Sequence, residues 1–95
     1  MEKREYMKKI EAQLTEYNAK LAELRGKVLQ AQTDMRSEYL SQVKMLESKR
    51  DELRKTYGQF KEVGANAWED AKEGTEKALA DLKVAFDKAI NRFKW

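Results

Sequence analysis

Two glutamates, Glu38 and Glu52, stand beside an apolar helical stripe, and four tyrosines, Tyr6, Tyr17, Tyr39 and Tyr57, recur along the same stretch. Glutamates facing inward in a helical bundle can hold two metal ions when Glu-x-x-His pairs complete the ligand set. This chain has neither histidine nor cysteine. It therefore lacks the usual nitrogen ligands, the general base that titrates near neutral pH and the thiol nucleophile. Apolar residues flanking Glu38 and Glu52 mark both as edge positions, with stems along the seam and carboxylates in water. No glycine-rich phosphate loop, nucleophile elbow or Walker pattern occurs. The expectation is a non-enzymatic protein without catalytic, cofactor-binding or metal-binding residues.

The tyrosines invite comparison with a ligand- or base-stacking platform. Bulky seam residues whose hydroxyls reach the wet rim of a narrow interface fit their spacing better. A nucleic-acid binder gathers its basic side chains on one face or arm. Here 20 basic and 17 acidic residues are interleaved, giving a net charge of +3. Glu5→Lys9, Glu16→Lys20, Glu23→Lys27, Asp51→Lys55 and Glu73→Lys77 follow the favourable i, i+4 order. Each such pair stabilises a helix by roughly 0.2–0.5 kcal/mol. The charges read as a solvated helix surface, and nucleic acid is not an expected partner.

The elements carrying these residues are helical throughout. The 95 residues include no proline, and Met7, Ile10, Leu14, Tyr17, Leu21, Leu24, Val28, Ala31 and Met35 step by three or four. That rhythm puts them on one side of a helix, as a coiled-coil seam does. The stripe continues through Tyr39, Val43, Leu46, Leu53, Tyr57 and Phe60, so one helix is expected over about 3–57, roughly 80 Å long. Met35, Tyr39 and Val43 form a stutter, and Arg50 is a polar interruption suited to setting register. Gly58 and Gly64 are the clustered breakers, which places a turn at about 58–66, with an unbroken helix through Gln59, Phe60, Lys61, Glu62 and Val63, which are not very polar, as the alternative. Asn66 with Glu69 then has the form of a capping box opening a second helix over about 67–94. Its stripe is Trp68, Ala71, Thr75, Leu79, Leu82, Phe86, Ala89 or Ile90, and Phe93.

A returning helix of that length covers only half of the first one. Leu46, Leu53, Trp68, Leu79, Leu82, Phe86 and Phe93 are the expected hairpin packing, while Met7, Ile10, Leu14, Tyr17, Leu21, Leu24, Val28 and Met35 remain as an uncovered seam. An apolar face of that extent normally marks a partner site. The expected answer is an all-α helical hairpin that self-associates as an antiparallel dimer through the N-terminal halves. A monomeric three-helix bundle with a second turn near Gln30–Asp34 is the alternative, ranked lower because no proline or glycine sits there. A different protein helix is another way to cover the seam. A membrane surface is a further alternative: Leu79, Leu82, Phe86, Ile90, Phe93 and Trp95 lie close to one face, with Lys83, Lys88, Arg92 and Lys94 elsewhere. No apolar h-region follows the N-terminus and no run reaches the ~18 apolar residues of a membrane span, so a cytoplasmic location is expected.

Near the start stand Arg4-Glu5-Tyr6, Lys9-Ile10-Glu11-Ala12-Gln13-Leu14 and Glu16-Tyr17-Asn18-Ala19, and later Ala67-Trp68-Glu69-Asp70-Ala71-Lys72-Glu73-Gly74 with Glu76-Lys77-Ala78-Leu79, Leu82, Ala85-Phe86, Ala89 and Arg92-Phe93. In these two patterns the chain resembles a family of small bacterial coiled-coil stress-response proteins. The match covers most of the chain. Tyr17, Ala71 and Leu79 depart from it, standing where a larger apolar residue or tryptophan is common, which thins the seam but keeps its period. The resemblance implies a stress association and supplies no catalytic residue.

Overall fold

The computed structural model describes residues 2–64 and 66–93, without the side chain of Phe93. Phe93's side chain and Trp95, both assigned above to the apolar face of the last helix, lie outside the described residues. Three helices follow one another: α1 (Lys3–Gln30), α2 (Thr33–Lys61) and α3 (Trp68–Phe93). Each runs antiparallel to the one before it. Tyr57, late in α2, meets Met7 at the start of α1, and Arg92, late in α3, meets Glu38 at the start of α2. The resulting all-α bundle measures 52 × 19 × 17 Å. Acidic residues open the helices (Glu5, Asp34, Glu69, Asp70) and basic residues close them (Lys27, Lys61, Arg92), matching the sign of each helix dipole.

The single helix expected over about 3–57 is two helices. Backbone torsions leave the helical region at Ala31 (φ −73°, ψ 155°) and Gln32 (φ −61°, ψ 148°), and the chain reverses there. No glycine or proline is needed, because both φ values are ordinary for any L-residue. The exposed C-terminal carbonyls of α1 find a donor instead of a continuing helix. Arg36 Nη2 donates to the Ala31 carbonyl at 3.2 Å and to that of Leu29 at 3.4 Å. Periodicity conceals this break, since Val28, Ala31 and Met35 keep their three-and-four spacing although the chain turns between them.

The second turn also moves. Gly58, expected to end the first helix, lies inside α2, which continues to Lys61. Lys3 Nζ ties the following turn to the start of α1 by donating to the carbonyls of Lys61 and Val63. At α3 the first helical bond runs from Ala71 N to Ala67 O at 3.2 Å, so the helix begins one residue later than an Asn66 cap implies.

Two apolar clusters fill the bundle. Tyr6, Ile10, Tyr57 and Phe60, joined by Trp68, Leu79 and others, close the end at the α2–α3 turn. A longer cluster from Tyr17 through Val28 on α1 packs against Val43, Leu46 and Leu53 of α2 and Leu82, Ala85, Phe86 and Ala89 of α3. Each fully buried Leu, Ile or Phe contributes about 1.5–3 kcal/mol. The parallel pair α1 and α3 approach backbone to backbone at few points. Large rings bridge that gap: Tyr17 and Phe86 stack tilted with centroids 4.9 Å apart.

Candidate functional site

The seam expected to be left uncovered on α1 is mostly covered within one chain. Ile10, Tyr17, Leu21, Leu24 and Val28 are buried, Met7 and Leu14 half-buried, and Met35 exposed. Of the expected hairpin packing, Leu46, Leu53, Leu82 and Phe86 are buried, with Trp68 and Leu79 half-buried. The reason differs from the expectation in one respect. Because the first segment folds back at Ala31, the α1 stripe meets α2 and α3 of its own chain and does not wait for a second one.

What folding leaves uncovered is a shorter apolar surface. Leu29 is 74% exposed, Ile90 37% and Met35 36%. They sit at one end of the bundle, where α1 stops, α2 starts and α3 approaches its last turn. Two grooves open there. One, of about 190 Å³, lies between α1 and α3 and is lined by Lys20, Glu23, Leu24, Lys27, Phe86 and Ile90. The other, of about 310 Å³, lies between α1 and α2 and is lined by Arg25, Val28, Leu29, Arg36 and Leu40. A third groove farther along, between α2 and α3, exposes Met45 (41%) and Val84 (50%) beside Lys49, Asp81 and Lys88.

Sequence reasoning passed over Leu29, Met45 and Val84 because none belongs to a stripe. Their signal was available all the same: each is a large apolar residue on an otherwise polar helix face. The α3 stripe, read above as a possible membrane face, is turned inward at Leu82 and Phe86, leaving Ile90 partly open. No helix among the described residues is long and apolar enough to cross a membrane.

Polar contacts fix the helices around this surface. Arg25 holds Glu47 across α1 and α2 through two bonds, Nε to Oε2 at 3.1 Å and Nη2 to Oε1 at 2.6 Å. That bonding to Glu47 pushes the ionisation of the Arg25 guanidinium further up. Arg50, the polar interruption of the stripe, donates from Nη1 to Asn18 Oδ1 at 2.9 Å across the same pair of helices. Arg92 reaches Glu38 at 2.6 Å between α3 and α2. Lys20 and Lys27 lie near Glu16 and Glu23 at 3.2 and 3.7 Å, two of the expected i, i+4 pairs. Lys9 instead stands 4.0 Å from Glu76 of α3.

The closed end carries the two most perturbed hydroxyls. Tyr57 donates to Glu11 Oε1 at 2.8 Å and to the Met7 carbonyl at 3.3 Å. Burial first, then the Glu11 bond, pushes its ionisation well above the usual tyrosine range. Tyr6 is fully buried, contrary to a hydroxyl at a wet rim, and the Glu76 carboxylate lies close to its hydroxyl. Burial, reinforced by the nearby Glu76 carboxylate, raises its ionisation in the same way. Lys3, Lys61 and Lys72 lie over the rings of Phe60, Tyr57 and Tyr6 at 5.2–5.8 Å, so cationic stems shield this cluster from water. Among the described residues, no group of three or more carboxylates is placed to hold a metal ion. Compared with protein-family models, curated proteins and solved structures, the chain finds no match in any of the three.

Proposed function

We propose that this chain is a non-enzymatic structural and protein-interaction module that works by helix–helix association at the open end of its bundle. One observation carries the reading: the large apolar side chains left bare at that end, Leu29, Met35 and Ile90, surround the α1–α2 connection, while the opposite end is sealed by aromatic rings. Exposed apolar groups beside shallow grooves between helices suit a further helix, which buries its own stripe by lying in them. The resemblance of both termini to bacterial coiled-coil stress-response proteins supports a stress-associated role in the cytoplasm. Such a protein acts by being present and assembling, and needs no chemistry of its own.

A photo-crosslinking amino acid at position 29 tests this reading. Illumination of cells producing the Leu29 variant should give a discrete adduct that the same label at Glu73, on the exposed face near the closed end, does not give. No adduct at 29, or identical adducts from both positions, contradicts it.

A further inference from the structure

The α1–α2 connection is two residues long, and only two torsions keep α1 and α2 from being one helix. Ala31 and Gln32 already have φ values of −73° and −61°. Rotating their ψ angles from 155° and 148° to the helical value of about −42° joins α1 and α2 end to end. The stripe crosses the joint in register, through Val28, Ala31, Met35 and Tyr39. From Leu29 to Arg36 every residue except Thr33 and Asp34 is a good helix former, and neither glycine nor proline interrupts.

We infer that a second copy of this chain is the partner, and that the two copies exchange α1. In the exchanged form residues 3–61 make one helix, and two such helices run antiparallel about a two-fold axis at the joint. Each α1 then lies on the α2 and α3 of the other copy. The interface needs no new complementarity, because it reuses the contacts α1 makes within one chain: Tyr17 on Phe86, Asn18 on Arg50, Glu11 on Tyr57 and Arg25 on Glu47. What changes lies at the joint. Arg36 releases the carbonyls of Leu29 and Ala31 to helical N–H groups, and Met35, bare in the single chain, comes to lie beside the axis against the second copy. Short hinges between exchangeable elements favour this route to a dimer. The inference rests on the helix-association reading and names its partner.

Gln32→Pro separates the two forms. Proline fits the closed chain: its φ matches that of Gln32, the preceding Ala31 already has the extended ψ that proline requires, and Gln32 N donates no backbone bond among those described outside the helices. In the joined helix the same ring removes a hydrogen bond and clashes with the preceding turn. Light scattering of wild type over rising concentration should show a dimer. Gln32→Pro should weaken that dimer more than about a hundredfold, with a melting temperature at or above wild type. A wild-type chain that stays monomeric, or a proline variant that dimerises equally well, overturns exchange. The second case leaves association by another surface standing, which the position-29 crosslink reads separately. Cysteines replacing Asn18 and Arg50, joined by a flexible bis-maleimide that spans the reach of the arginine, give an independent check. Reaction at high concentration should link chains covalently into dimers on a denaturing gel, whereas links formed only within single chains overturn the exchange.

Discussion

Arg36, in the first turn of α2, donates back across the chain reversal to the carbonyl of Ala31 at 3.2 Å. A residue at the start of one helix thus satisfies the end of the preceding one, and the turn between them stays closed without glycine or proline. Replacing Arg36 by alanine leaves those carbonyls to water. The contact is exposed, so the cost is about 0.5–1 kcal/mol, readable as a lower denaturation midpoint. Helix exchange adds a second effect, a larger dimer fraction at equal concentration. Unchanged stability together with unchanged mass argues against a capping role for Arg36.

Gly26 and Gly58 lie inside α1 and α2 with open space where a Cβ would stand. Alanine at either position should therefore stabilise the chain by roughly 0.5–1 kcal/mol, mainly by lowering the entropy of the unfolded chain. The two gains should add, since the sites share no partner. Urea titration with an unchanged slope and a raised midpoint is the expected record. A loss at position 58 would mean that α2 bends or ends there.

Leu53 and Leu82 are fully buried, and Leu29 is 74% exposed. Truncation of either buried leucine to alanine should cost about 2–5 kcal/mol. Leu29→Ala should fall within about 0.5 kcal/mol of wild type. Comparable losses at all three positions, measured at a concentration where the chain is a monomer, would show that Leu29 packs inside the single chain.

Much of this architecture was legible in the residues. Ile10, Leu21, Leu24, Leu46, Leu53 and Leu82 repeat at helical spacing and are all buried. A heptad rhythm reports which side of a helix is apolar but not whether the chain continues straight, so Val28 to Met35 read as unbroken through a reversal. The reversal is held by burial of Tyr17, Leu21, Leu24 and Val28 on the other two helices and capped by an arginine reaching back to a carbonyl, neither of which leaves a distinctive mark in the sequence. Gly58 misled in the opposite direction. A glycine inside a helix costs only about 1 kcal/mol, and the burial of Leu53, Tyr57 and Phe60 on either side outweighs it. The open end was hidden for a related reason. Leu29 becomes conspicuous only once the stripe beside it is known to be covered by its own chain.

The Tyr57 hydroxyl, bonded to Glu11 and buried, keeps its proton to higher pH in the folded chain than in the unfolded one. A raised folded-state ionisation contributes stability that is fully present below the unfolded value of about 10 and is lost as pH rises above it. Each such tyrosine steepens the loss by up to about 1.4 kcal/mol per pH unit. Tyr57→Phe should cost about 1 kcal/mol at neutral pH and flatten the decline above pH ~10. Equal alkaline slopes for variant and wild type would place the sensitivity elsewhere, with the similarly buried Tyr6 the next residue to replace.

The most direct test of helix exchange joins mass to shape. Small-angle scattering with light-scattering mass, recorded on the wild-type chain across a tenfold dilution, distinguishes the two forms. At low concentration the particle should have the mass of one chain, 11.2 kDa, and a longest dimension near the 52 Å of the bundle. At high concentration the mass should double while the particle lengthens to at least the ~90 Å of a helix spanning residues 3–61. A particle that keeps the mass of one chain throughout, or doubles in mass without lengthening, contradicts exchange of α1.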